Sequence, residues 1–293
     1  MVLSGGTFKM GGDLTINRVG YGAMQLTGPG IYGPPEDEHN ARTLLRRAVD
    51  LGVNFIDTAD VYGPHYNEQI IRDALSPYPD DLVIATKAGL IHGGPESTSR
   101  NLVMDGTAVH IRNAVEGSLR RLGVERIDLY QLHRIDPAVP IEDTMDTFRQ
   151  LRDEGKIRYI GLSEVTIEEI ERARKVVEIA TVQNLYNLIH RKHDDVLAYC
   201  NQQKIGFMPW YPLKAGKLAT SHNAMAAIIE RTGANPAQIA LSWLLRKSPV
   251  MLLIPGTSSI KHLEENIAAC EIELFDEEIN MLDAMGKLPQ PGT

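Results

Sequence analysis

Short apolar runs alternate with amphipathic segments along the whole of this chain. Eight runs have strand-like length and character, at residues 18–26, 53–57, 82–87, 128–133, 159–163, 181–184, 205–210 and 250–254. Between them apolar residues recur at helical spacing. Ala41, Leu44, Leu45, Ala48 and Val49 fall at i, i+3, i+4, i+7 and i+8, and Ile111, Val115, Leu119 and Leu122 repeat the stripe. Gly155 follows the helical segment carrying Met145, Phe148 and Leu151, where a glycine stops a helix. Asn235-Pro236 opens the segment carrying Ile239, Trp243 and Leu244, with a capping side chain ahead of a first-turn proline.

Eight strand–helix repeats predict an α/β protein, a (β/α)8 TIM barrel filling residues 1–293 as a single domain. Residues 7–10 and 14–17 flank Gly11-Gly12-Asp13 as a hairpin, expected to plug the barrel bottom. The alternative is an open doubly wound sheet, which usually carries G-x-G-x-x-G after its first strand. Here Gly20-Tyr21-Gly22-Ala23-Met24-Gln25 lacks the third glycine and leads into a Gly/Pro-rich loop. Gly216-Lys217 is followed by Leu218 and does not complete a Walker phosphate loop.

In a barrel the strand–helix loops converge on the C-terminal rim, so side chains ending successive strands become neighbours there. Asp57 ends the second predicted strand, Lys87 the third and His133 the fourth, and Tyr62 lies just beyond Asp57. A phenol holds its proton too tightly to donate readily at neutral pH. An adjacent ammonium lowers that barrier, and a carboxylate holds the ammonium in place. Four such groups in this order point to a proton-donating site for carbonyl chemistry.

Composition narrows the classes. At 43% apolar residues the chain can bury a sizeable core without metal or disulfide staples. Cys200 and Cys270 form no ligand or redox spacing. A net charge of -8 argues against nucleic acid as a main partner. The N-terminus shows no signal-peptide pattern and no apolar run reaches spanning length, so a cytoplasmic protein without a membrane partner is expected. No metal is expected: His190-x-x-His193 lacks a supporting ligand and reads as a surface pair, and the charges from Glu168 to Lys175 read as a solvated helix face.

The stretches Asn54-Phe55-Ile56-Asp57-Thr58-Ala59-Asp60-Val61-Tyr62-Gly63, Ile127-Asp128-Leu129-Tyr130-Gln131-Leu132-His133 and Ile254-Pro255-Gly256-Thr257 through Glu265-Asn266 resemble the aldo-keto reductase family. The resemblance runs over nearly the whole chain. It implies a catalytic tetrad of Asp57, Tyr62, Lys87 and His133, with Tyr62 as general acid, Lys87 and Asp57 lowering its pKa, and His133 orienting the carbonyl. It also implies a nicotinamide dinucleotide, NADP(H) favoured over NAD(H), and a monomer. By the same resemblance Gly22, Met24 and Asp57 line the cofactor, Ser163 and Gln183 meet the carboxamide, and Trp210 stacks on the ring. Pro212, Leu213, Lys214, Gly216 and Lys217 approach the pyrophosphate. Gly256, Thr257, Ser258, His262, Glu265 and Asn266 serve the adenosine end, with Gly256 and His262 standing where many members carry a lysine and an arginine for the 2′-phosphate. Where the family usually has asparagine after the serine, this chain has Glu164.

The substrate is expected to be a small carbonyl compound held by Met24, Tyr32, Tyr62, Leu90, His133 and Trp210. The segment after Leu288 is short, so an open pocket is expected. Two stretches, 21–30 and 252–259, resemble the family's pyridoxal reductase branch, which makes pyridoxal the leading candidate. The alternatives are a broad-range reductase of small aldehydes, ketones or sugar-derived ketones, and a cofactor-binding, redox-sensing regulatory subunit with little turnover.

Overall fold

A computed structural model of the chain describes residues 2–94, 102–213 and 223–286. After the antiparallel hairpin β1 (Thr7–Met10) and β2 (Leu14–Asn17) come the parallel strands β3 (Tyr21–Gly22), β4 (Phe55–Asp57) and β5 (Val83–Ala88). A small hairpin, β6 (Leu90–Ile91) with β7 (Val103–Met104), precedes β8 (Ile127–Leu132), β9 (Ile157–Ser163), β10 (Thr181–Leu185) and β11 (Gly206–Trp210). These form one parallel sheet in the order β11-β10-β9-β8-β5-β4-β3. The connecting helices are α1 (Glu38–Asp50), α2 (Tyr66–Leu75), α3 (Ala108–Leu122), α4 (Ile141–Asp153), α5 (Ile167–Arg174) and α6 (Asp194–Gln203), followed by α7 (Asn223–Thr232), α8 (Pro236–Lys247), α9 (Ile260–Ala268) and α10 (Asp276–Met285).

The eighth predicted strand is present as a short closing segment rather than a full ladder. Val19 bridges Leu253 and Phe207 bridges Met251, both in parallel. Gly20 N donates to Leu253 O and Leu252 N to Phe207 O, each at 2.8 Å, so the segment joins β11 to the chain entering β3. Arg18 reinforces the seam by donating to Met251 O at 3.1 Å and Leu245 O at 2.7 Å. The sheet therefore closes as the (β/α)8 barrel that the repeats predicted. The first strand is shorter than expected, because Asn67 Nδ2 donates to Ala23 O and Leu26 O at 2.8 and 3.0 Å and holds residues 23–25 in a 3-10 turn.

Strand side chains alternate between two cores, as the period of two requires. Phe55, Val83, Ala85, Leu129 and Met208 fill the barrel interior, whereas Ile56, Ile84, Ala88, Tyr130 and Leu132 pack outward against the helices. Met10 and Ile16 of the first hairpin, both fully buried, join the interior set and close the barrel bottom. Asp13 in its turn accepts from Arg158 Nη2 at 2.8 Å and from the Tyr159 hydroxyl, anchoring the hairpin to β9.

Capping follows the sequence signals. Asn235 and Gln238 form a capping box at the start of α8, Ser259 caps α9 by accepting from His262 N, and Gly155 takes a φ of 77° after α4. His193 departs from the expected surface pair. It is buried, and Asn184 Nδ2 lies 3.2 Å from its Nδ1, because the turn into α6 folds back over β10. No helix among the described residues is long and apolar enough to cross a membrane.

Candidate active site

The inward-facing register decides which side chains reach the rim. Continuing the interior positions by twos leads from Phe55 to Asp57, from Ala85 to Lys87, and from Leu129 through Gln131 to His133. The same step leads from Tyr159 to Ser163, from Thr181 to Gln183 and from Met208 to Trp210. All lie in the C-terminal part of their strands or just past it, Gln183 two residues before the end of β10, and the strands are hydrogen-bonded neighbours.

Lys87 and Asp57 form the buried centre. Lys87 Nζ donates to Asp57 Oδ2 at 2.7 Å and to Thr58 O at 2.8 Å, and both side chains are almost wholly buried. The other oxygen, Oδ1, accepts from Gln131 Nε2 and from Gln183 Nε2, each at 3.1 Å. Burial is the largest single influence and works to strip the ammonium's proton, but the Asp57 and Tyr62 charges and hydrogen bonds together outweigh it and leave the Lys87 pKa raised.

Tyr62 is brought over this pair by its loop. Thr58 N donates to Ala85 O at 2.8 Å and Asp60 N to Lys87 O at 3.2 Å, so the loop keeps bonding to β5 after β4 ends. Gly63 allows the turn: its φ is 74°, and a Cβ there would meet Tyr66 Cβ at 2.8 Å. The Tyr62 ring centroid then lies 5.2 Å from Lys87 Nζ and 5.9 Å from the His133 ring, which it meets edge-on. Burial raises the phenol's pKa, and the Lys87 charge pulls it back down. The direction of the lysine's pull is as expected, but burial exceeds it. His133 is pushed well below its usual value by burial, and by Lys87 and Arg134 beside it. Its Nδ1 is buried without a hydrogen-bond partner.

The predicted tetrad residues are thus brought together, and the predicted cofactor positions Ser163, Gln183 and Trp210 lie toward the same end of the sheet. Ser163 ends β9 opposite Gln183 of the neighbouring β10, and Arg134 Nη1 donates to Ser163 Oγ at 2.8 Å. Gln183 turns inward to Asp57 rather than leaving its amide nitrogen free. Trp210 is half-buried at the end of β11, with Pro212 and Leu213 following. Lys214, Gly216 and Lys217 lie outside the described residues. Gly22 and Gly256 face each other across two loops: a Cβ on Gly22 would meet Ile254 O at 2.5 Å, and one on Gly256 would meet Gly22 O at 2.9 Å. Thr257 O accepts from Tyr21 and Ser258 O from Asn40, fixing the strand-to-α9 loop ahead of His262, Glu265 and the buried Asn266.

Met24, Tyr62 and Leu90 share a small apolar cluster with Ala59 and Val61, against which Ile31 and Leu102 pack. Tyr32 lies outside that cluster, with its ring 5.1 Å from His92. A cavity of about 730 Å³ opens beside the rim, with Met104, Arg134, Glu164 and Arg172 among its walls.

Three contributors escaped the sequence reading. Gln131 is a polar residue in an apolar strand, two positions before His133 and therefore on the same face; that alternation was the available signal. Arg134, next in sequence, reaches both Ser163 and the Trp210 ring. Glu68, fully buried on α2, accepts from Thr86 Oγ1 and Arg121 Nε at 2.7 Å each and braces β5 from behind. No local pattern marks it, because both partners are distant in sequence.

Comparison with known proteins places the chain in a class. A sequence model described as the aldo/keto reductase family matches residues 18–287, so the chain belongs to that family. It is 47% identical over 282 residues to an uncharacterized oxidoreductase of Schizosaccharomyces pombe, covering 96% of this chain and 90% of that protein. It is 42% identical over 291 residues to pyridoxine 4-dehydrogenase of Escherichia coli, covering 97% of this chain and all of that protein (100%). An aldo-keto reductase from Klebsiella pneumoniae, solved in complex with NADPH, superposes with a TM-score of 0.81 at 30% identity, covering 98% of this chain and 97% of that one.

Proposed function

We propose that this protein reduces an aldehyde or ketone to the alcohol with a nicotinamide dinucleotide, NADPH in preference to NADH, and that Tyr62 is the proton donor. The observation that carries the reading is the stack of Asp57, Lys87 and Tyr62 at one end of a closed barrel, with His133 edge-on to the phenol. The residues at the rim suit a dinucleotide. Gly22 and Gly256 let two backbone segments close tightly at the rim, and Ser163, Gln183 and Trp210 offer polar and aromatic groups together. The Ser259-capped start of α9 points backbone N–H groups at the loop holding Thr257 and Ser258, which suits a phosphate.

The bound dinucleotide supplies the hydride that no side chain can. Tyr62 holds a proton at its phenolic oxygen, and its burial keeps it in the acid form at neutral pH. Lys87 lowers the cost of the phenolate that forms when the proton leaves, and Asp57, held by two glutamines, keeps the lysine charged and in place. His133 stays neutral beside the phenol, where its imidazole would orient the carbonyl oxygen. In the oxidative direction the same groups run in reverse.

For the substrate, we favour an aromatic aldehyde such as pyridoxal. The apolar wall of Met24, Tyr62 and Leu90 suits a flat ring, and the Escherichia coli relative named for pyridoxine supports the choice. Replacing Tyr62 by Phe should lower carbonyl reduction by about 10²–10⁴-fold while leaving dinucleotide binding within about twofold. Near-normal turnover in that variant would sink the assignment. An aldehyde panel that includes pyridoxal tests the substrate, and paired titrations with NADPH and NADH test the cofactor.

A further inference from the structure

Glu164 is placed as no ordinary loop residue would be. It follows β9 with a φ of 55°, in the left-handed region that a side chain with a Cβ seldom occupies. Its Oε1 accepts from the indole N–H of Trp210 at 2.5 Å and from Leu185 N at 2.6 Å, and its own N–H donates to Gln183 O at 3.0 Å. One side chain therefore ties together the ends of β9, β10 and β11. Arg134 lies on the indole, with its guanidinium carbon 5.9 Å from the ring centroid, and donates to His133 O at 2.6 Å and Ser163 Oγ at 2.8 Å. Among the described residues no carboxylate lies within ion-pair distance of Arg134, though the Glu164 charge acts on it from farther away.

We infer that Glu164 is a positioning residue with an electrostatic consequence: it fixes the Trp210 indole across the barrel mouth, and its carboxylate favours the oxidised, cationic nicotinamide over the reduced, neutral one. The inference rests on the reading above that a nicotinamide ring seats against Trp210. A carboxylate only accepts hydrogen bonds, so it can hold the indole N–H in a single orientation. Its charge offsets the nearby guanidinium. With that charge gone, Arg134 would leave the rim net positive beside a ring that is itself positive when oxidised. Two nearby unit charges at an effective dielectric near 20 interact strongly enough to change affinity by about tenfold or more.

The variants Glu164→Gln and Glu164→Ala test both halves on the full chain. Trp210 and Trp243 are the two tryptophans, so a proton–nitrogen spectrum holds two indole resonances, assigned with Trp210→Phe. The Trp210 resonance should move upfield in Glu164→Ala and less in Glu164→Gln, with Trp243 unmoved as the control. An unmoved Trp210 signal in Glu164→Ala would overturn the brace. In calorimetric titrations Glu164→Gln should weaken NADP⁺ binding by about tenfold and NADPH binding by less than about threefold. An unchanged ratio of the two affinities, in a protein that binds both, overturns the charge role alone. If the parent protein binds neither dinucleotide, the functional reading fails and the charge role with it, while the indole shift still decides the brace.

Discussion

Lys87 Nζ stands 2.7 Å from Asp57 Oδ2, with the lysine side chain fully buried and the aspartate 4% exposed. A buried ion pair is a poor stabiliser, because desolvating two charges costs about as much as their attraction returns. Its presence in a barrel interior otherwise filled by Phe55, Val83, Ala85, Leu129 and Met208 therefore calls for another reason. The ammonium has three donors, and Asp57 and Thr58 take two. The Tyr62 ring lies 5.2 Å away, close enough for the remaining positive charge to act on the phenol.

Breaking this pair from one side should cost more than removing it whole. Asp57→Asn or Lys87→Met alone leaves an uncompensated polar or charged group in the interior and should lose about 3–5 kcal/mol of stability. The double variant should lose clearly less than the two singles added together, because neither charge remains. Urea unfolding of the four proteins reads the coupling. Strict additivity would mean that water, not the partner, satisfies each charge.

His133 should make the protein acid-sensitive. Its folded-state pKa is pushed well below the ordinary imidazole value of 6.5 by burial and by the cations Lys87 and Arg134. Above 6.5 the imidazole is neutral in both states and contributes no pH dependence. Below 6.5 the unfolded chain takes up the proton first, so stability falls as pH falls, by up to about 1.4 kcal/mol per pH unit until the folded-state pKa is reached. His133→Gln removes that uptake. Unfolding measured from pH 7 to pH 5 should show a shallower loss in the variant; parallel curves would contradict it.

The sequence carried the parts of this molecule that follow local rules. The strand–helix repeat sufficed to send Asp57, Lys87 and His133 to one rim, and the family resemblance pointed to Ser163, Gln183 and Trp210. Capping chemistry at Asn235-Pro236 is likewise written in neighbouring residues. What escaped was set by partners far apart in the chain. Val250–Ile254 reads as a strand, yet its pairing is limited to bridges at Leu253 and Met251, with partners more than two hundred and more than forty residues away, respectively. That Gln183 also donates to Asp57, 126 positions away, has no local signal. Glu164 reads in sequence as a substitution, and only the meeting of three strand ends gives its carboxylate two donors.

The plug hairpin offers a test in which adjacent glycines should behave differently. Gly11 has a φ of 56°, and a Cβ there would stand 1.9 Å from the Tyr159 ring. That ring cannot swing aside freely, because its hydroxyl is held by Asp13 and Arg158 packs on its face. Gly12 has a φ of 86°, with nothing within 4 Å of its would-be Cβ. Gly12→Ala should therefore lose only the backbone preference, about 1 kcal/mol. Gly11→Ala adds a steric term and the weakened Asp13 anchor, for about 2–4 kcal/mol in total. Thermal or urea unfolding of the two variants measures the gap. Equal losses would mean that the turn does not dock on Tyr159, and that Met10 and Ile16 hold the hairpin in the barrel bottom by their packing alone.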